Sequence, residues 1–180
     1  MGQLRYGPRP TVDREVTATK IGAWSTSLTA TFLTDPAVVA AVLPPPLKPP
    51  SQPLVKVSIS HVDLGGGRPP FGAGTFAVAA RHRDTEGFYP LLMPMTTEQS
   101  VIGGRETFGE PKKLADVTLD VGEGLDTAST VIGTVSRMGV GIIELGGTLG
   151  DELAPPPADE RLDYYLKFLR NPSGEGFDDD

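Results

Sequence analysis

The chain has no cysteine, only two histidines, one tryptophan and 7% aromatic residues among its 180 positions. The missing thiols exclude disulfides, thiolate metal sites and a cysteine nucleophile. No apolar run approaches the roughly 18 residues that would span a bilayer as a helix. The N-terminus lacks the charged-then-apolar layout of a signal peptide. No basic run exceeds two residues and the net charge is -7, so the concentrated cationic face that phosphate binding needs is missing as well. These absences predict a cytoplasmic protein with no nucleic-acid and no membrane partner.

Glycine and proline are abundant instead, at 22 and 18 residues, and they cluster between apolar runs, where they act as turns and breaks. With 38% hydrophobic and 22% charged residues, the chain has the composition of an ordinary globular domain. Its length suits one domain, 1–180, rather than two. Residues 1–23 read as a lead-in arm. Beyond it, Leu28, Ala30 and Phe32 alternate with Thr29 and Thr31, the period of a half-buried strand. Asp35 then caps a helix that has Pro36 at its first position and Val38, Val39, Val42 and Leu43 at helical spacing. Pro44, Pro45 and Pro46 end it.

Val55, Val57 and Ile59 alternate with Lys56, Ser58 and Ser60 in a second strand, and Gly65, Gly66 and Gly67 form the turn after it. Further strands are expected around 75–80, 89–95, 117–121, 129–137 and 141–149. Six or more short strands with glycine breaks predict a mainly β (α+β) barrel or sandwich. The segment 161–170 fits two descriptions. Leu162, Tyr165, Leu166 and Leu169 could share a helix face, yet Asn171, Pro172, Ser173 and Gly174 form a turn suited to a hairpin.

Few constellations carry chemistry. His61 and His82 have no ligand-like spacing, so no metal is assigned. No G-x-S-x-G elbow occurs, and no glycine run precedes a Lys-Ser or Lys-Thr in the manner of a phosphate loop. No cofactor is assigned either. The stretch 103–115, GGRETFGEPKKLA, stands out. Adjacent lysines are normally a solvated pair, but Pro111 stiffens the entry to Lys112, and Met93, Pro94, Met95 and Leu114 belong to a part of the chain expected to be core.

The run Gly104-Arg105-Glu106, followed after four residues by Pro111-Lys112-Lys113-Leu114, resembles the signature of the acetoacetate decarboxylase family, in which the first lysine forms an imine with the substrate ketone. Weaker matches flank it: Thr34-Asp35, Leu43-Pro44, Pro53-Leu54-Val55 and Tyr165-Leu166-Lys167. The resemblance covers about 24–176. It implies a cone-shaped antiparallel β-barrel with small helices, assembled as a homo-oligomer. It also implies a Schiff-base lyase acting on a small keto acid or ketone, with Lys112 as nucleophile and Lys113 as its electrostatic or structural neighbour. An aldolase or dehydratase of the same superfamily, or a non-catalytic ligand-binding barrel, are the alternatives.

Residues expected near the substrate are Met95, Glu98, Arg105, Phe108 and Glu110, around an apolar cavity. An amine attacks only when unprotonated, and a lysine ordinarily titrates at about 10.4. Desolvation is expected to dominate its activation, since strand alternation sends Lys112 and Lys113 to opposite faces. Activation by an apolar pocket or a neighbouring cation is the account already attached to this family rather than one derived from these residues. In the family register two carboxylate-handling glutamates fall at Ala73 and Ser58, and an arginine at about Ser25, so that set is absent here. Relatives also continue past the 172–174 turn, so strands that close the barrel are expected to be missing.

Overall fold

In the computed structural model, which describes residues 24–65, 67–122, 130–153, 162–170 and 177–178, the first alternating run becomes β1 (Trp24–Leu33). Asp35 caps α1 (Pro36–Val42) as its sequence predicts, its carboxylate accepting from the Ala37 N–H at 2.7 Å. The lead-in arm lies outside the described residues. Next come β2 (Leu54–Asp63), β3 (Phe71–His82) and β4 (Thr85–Met95), an antiparallel meander with Leu28 opposite Ile59 and Val57 opposite Phe76. The turn after β2 has Gly65 and Gly67 at φ 63 and 77, left-handed values that a side chain disfavours.

The meander is extended by β5 (Lys112–Leu114) and by β9 (Leu162–Asp163), both running parallel to β4. A second, antiparallel sheet holds β6 (Asp116–Gly122), β7 (Thr130–Arg137) and β8 (Val140–Thr148). The two-residue strands β10 (Leu169–Arg170) and β11 (Phe177–Asp178) pair with each other. The architecture is therefore mainly β, as expected. Among the described residues the two larger sheets pack together without closing into a ring.

Alternation divides the large sheet into two unlike faces. One face buries Val55, Val57, Ile59 and Val78 against Val39 of α1, Val135 of β7 and Ile143 and Leu145 of β8. Gly133 permits the close approach of the two sheets, since a Cβ there would lie 3.0 Å from Ile59. The opposite face presents Ser58, Ser60, Ala73, Met95 and Lys112 in register across the strands.

Two elements differ from the sequence reading. An unexpected helix, α2 (Glu98–Phe108), precedes the lysine pair. Its central Gly103 and Gly104 each cost about 1 kcal/mol against alanine in helix propensity, which hid it. The segment 161–170 forms no helix where described; Leu162–Asp163 and Leu169–Arg170 are two-residue strands with irregular backbone between them. Hydrogen bonds from the Tyr164 N–H to the Phe88 carbonyl (2.7 Å) and from the Tyr164 hydroxyl to the Thr85 carbonyl (2.8 Å) fix it along β4.

Candidate active site

The lysine pair is positioned by a reversal of the chain. Helix α2 ends at Gly109, whose φ of 72 is left-handed and whose N–H meets the carbonyls of Arg105 and Gly104. This is the usual glycine stop. The chain then doubles back through Glu110 and Pro111 into β5, where Met93 donates to the Pro111 carbonyl at 3.1 Å. Consequently α2 lies over β5. Gly104, the buried residue of the helix, faces the Lys112 side chain.

There Lys112 Nζ stands 2.7 Å from Glu110 Oε2, with the two side chains 14% and 12% exposed. That oxygen is buried without a hydrogen-bond partner among the described residues. Its compensation is the ammonium itself, in ion-pair contact rather than hydrogen-bond alignment. The space for the pair comes from Gly104: a Cβ on it would collide with Glu110 Oε2 and lie 2.6 Å from Lys112 Nζ. Arg105 reaches the Lys112 carbonyl at 3.4 Å.

Tyr165 lies in the same neighbourhood, its phenol pushed well above the usual tyrosine value by burial first and then by the Asp163 and Glu110 carboxylates. Asp163 in turn lies 3.5 Å from Lys56 Nζ, and Lys56 sits 4.2 Å above the Phe88 ring. A polar cleft of ≈ 370 Å³ opens at Glu110, with Arg105, Glu106, Leu166 and Lys167 among its walls.

The geometry coincides with a family match. The model of the acetoacetate decarboxylase family matches residues 6–179. The chain belongs to that family. An acetoacetate decarboxylase of Burkholderia vietnamiensis is 28% identical over 174 residues, 93% of this chain and 63% of the relative. A CLA biosynthesis isomerase of Lactiplantibacillus plantarum is 35% identical over 129 residues, 67% of this chain and 42% of the relative. The crystal structure of acetoacetate decarboxylase from Legionella pneumophila superposes with a TM-score of 0.67 at 25% identity, covering 83% of this chain and 59% of that one. The chain thus spans less than two thirds of the length of these relatives.

Set against that family, the anticipated residues separate into groups. Lys112 and Glu110 meet. Lys113 pairs with Pro94, is exposed, and by strand alternation faces away from Lys112. Met95 is 4% exposed and lies on the Lys112 face, one alternation from Met93. Glu98 sits exposed in the first turn of α2, and Phe108 is 57% exposed at its end. Phe108 is thus exposed at the end of α2, while a carboxylate stands beside the Lys112 nitrogen. Ser58 and Ala73 do share the Lys112 face. Ser58 is hydrogen-bonded to Thr29 at 2.9 Å and the neighbouring Ser60 to Ser27 at 2.7 Å.

Sequence reasoning missed Tyr165 as a site residue. The signal available for it was the Tyr165-Leu166-Lys167 run in register with the family, set beside a segment whose secondary structure periodicity left open.

Proposed function

We propose that Lys112 is the imine-forming nucleophile of a Schiff-base lyase and that Glu110 is its proton partner, acting on a small ketone or keto acid. The observation that carries this is the Lys112–Glu110 pair, 2.7 Å apart and largely buried, at the family's lysine position. A positioned base within hydrogen-bond reach is the first geometric requirement of proton transfer.

The ammonium gives a proton to Glu110. The freed amine attacks the carbonyl carbon, the carbonyl π pair moves to oxygen, and the proton that the attacking nitrogen sheds passes to that oxygen. The carbinolamine hydroxyl then leaves as water, with Glu110 returning its proton, and the nitrogen lone pair forms C=N. One ammonium and one ketone thereby give one iminium and one water. The iminium is an electron sink for breaking a neighbouring C–C or C–H bond.

Cleavage that needs no bound carboxylate suits this face better than decarboxylation of acetoacetate. Decarboxylation through an imine requires the leaving carboxylate held out of the plane of the sink. Ser58, Ala73 and Ser25 offer no charge for that, and losing a positioning group costs about a hundredfold or more. Aldol cleavage, condensation or dehydration needs only the lysine and a proton carrier, and the isomerase relative illustrates that the family name does not restrict the reaction.

Hydride reduction with acetylacetone should attach the ligand at Lys112, located by peptide mass, while Lys112→Met abolishes labelling. Attachment at Lys113, or none in folded protein, removes the proposal. Acetoacetate should release carbon dioxide more slowly than about 1 per second, the low end of ordinary enzyme turnover.

A further inference from the structure

We infer that the outer edge of β1 is the docking surface for a second copy of this chain, the two β1 strands pairing antiparallel about a two-fold axis through Leu28. Among the described residues β1 pairs with β2 alone and forms one border of the large sheet. Its ten residues, WSTSLTATFL, carry no charge, no proline and no glycine, and they pair with β2 in unbroken register from Trp24 to Leu33. Charges, prolines, bulges and short strands are what keep an exposed edge from pairing. β1 has none of them. The outer strands of the second sheet are protected by contrast: β6 carries Asp116 and Asp120, and β8 carries Glu144 and the glycines 141, 146 and 147.

The pattern of β1 fixes both the partner and the register. About a two-fold axis normal to the sheet, residues opposite each other lie on the same face, and strand alternation then restricts which can meet. Centring the axis on Leu28 sets Trp24 opposite the partner's Phe32 and Leu28 opposite the partner's Leu28 on one face. On the other face it sets Ser25 opposite the partner's Thr31 and Ser27 opposite the partner's Thr29. Aromatic meets aromatic and hydroxyl meets hydroxyl, with Thr26 opposite the partner's Ala30 as the mixed pair; such matched cross-strand pairs stabilise a sheet. β1 and β2 already follow the same scheme, with Leu28 opposite Ile59, Ser27 bonded to Ser60 at 2.7 Å and Thr29 bonded to Ser58 at 2.9 Å. An axis moved one residue to Thr29 would instead set Ser25 opposite the partner's Leu33 and Thr26 opposite the partner's Phe32.

The pairing also covers apolar surface. A cavity of ≈ 520 Å³ lies between the two sheets, walled by Phe32, Val57, Phe76, Leu92, Ile143 and Leu145. Phe32 stands at its border and is 50% exposed, as Trp24 is 54% exposed at the other end of the strand. In the Leu28 register the partner's Trp24 comes to rest beside Phe32 on the face that carries Val55 and Val57, so both ends of the seam lose an exposed aromatic pair. Lys112 lies at the opposite border of the sheet, on β5, and stays open. Residues 24–32 give a seam about 30 Å long, at the small end for a stable interface, so association should rise with concentration.

The chain has no cysteine, so introduced cysteines report the contact without background. Opposite residues of an antiparallel pair have Cα atoms about 4.5–5.5 Å apart, within the span of a disulfide. In the whole chain, Leu28→Cys with oxidised glutathione should therefore give a linked dimer on a denaturing gel. Ser27→Cys mixed with Thr29→Cys should also link, whereas either alone faces its own copy on the diagonal, about 7–8 Å away, and should not. Light scattering over a concentration series should show wild type associating. Ser27→Lys combined with Thr29→Lys sets lysine opposite lysine and should halve the mass at high concentration, with circular dichroism unchanged; the cysteine pattern decides if that variant folds poorly. A monomer at every concentration, the result if the edge is covered from within the same chain, overturns the inference. So does linking of Ser27→Cys alone as readily as of the mixture, or association that the folded lysine variant retains in full.

Discussion

The neighbouring glycines of α2 provide a paired experiment, because one faces open space and the other faces the ion pair. No atom lies within 4 Å of a Cβ built on Gly103. Gly103→Ala should therefore stabilise the protein by about 0.5–1 kcal/mol, the ordinary gain of alanine over glycine within a helix. Gly104→Ala gains the same propensity, but its methyl collides with Glu110 Oε2 and meets Lys112 Nζ at 2.6 Å and Cδ at 2.7 Å. Both side-chain tips can swing aside, yet doing so separates a largely buried pair. Full loss of one partner of a buried pair costs about 3–5 kcal/mol, and a partial displacement into solvent costs less. Netting roughly 2–3 kcal/mol of displacement and overpacking against the propensity gain leaves Gly104→Ala destabilised by about 1–2 kcal/mol. In a domain of this size that lowers Tm by about 2–8 °C. Thermal unfolding of wild type and the two variants, each also assayed for imine trapping, measures both consequences. If Gly104→Ala proves as stable as Gly103→Ala and traps the ligand equally well, the pair is not held where the helix places it.

Two further outcomes concern stability alone. The Tyr165 phenol is raised in the folded state, by burial first and then by Asp163 and Glu110. Its contribution is fully present below the unfolded value of about 10 and is lost as pH rises beyond it. Denaturation at a series of pH values from about 9 upward should show wild type losing stability more steeply than Tyr165→Phe; parallel curves would contradict the assignment. Asp35→Ala removes the acceptor of the Ala37 N–H and should cost about 1 kcal/mol in urea denaturation, with the large sheet and the lysine site unaffected.

Much of the fold is legible in the sequence because its strands alternate cleanly. Val55, Val57 and Ile59 face one way and Lys56, Ser58 and Ser60 the other, and the structure buries the first set against α1 and the second sheet. Asp35-Pro36 announces α1 through a cap and a fixed φ, both local properties. Helix α2 is different. Its propensity is weak at Gly103 and Gly104, its Thr97 N-cap makes no side-chain cap bond, and its place is secured by packing over β5. Local sequence carries little of that information. The same holds for Leu162–Asp163, whose extended backbone is selected by pairing with β4, a partner more than seventy positions away.

The site divides along the same line. A two-residue spacing and a proline made Glu110 visible beside Lys112, and strand alternation correctly separated Lys113 from it. What spacing could not convey is how the lysine would be activated. Desolvation in an apolar cavity was the expectation, and it would favour the free amine by making the charged form costly. The structure sets a carboxylate 2.7 Å from the nitrogen, so the immediate neighbour of the amine is an anion. Tyr165, whose phenol is raised by burial first and in part by the Glu110 carboxylate, is brought in from more than fifty residues downstream by a segment that periodicity could not assign. The glycine that admits the pair follows the same logic. Gly104 belongs to the family's Gly-Arg-Glu run, but its use appears only when α2 is laid over β5 and the missing side chain becomes the space that Glu110 and Lys112 fill.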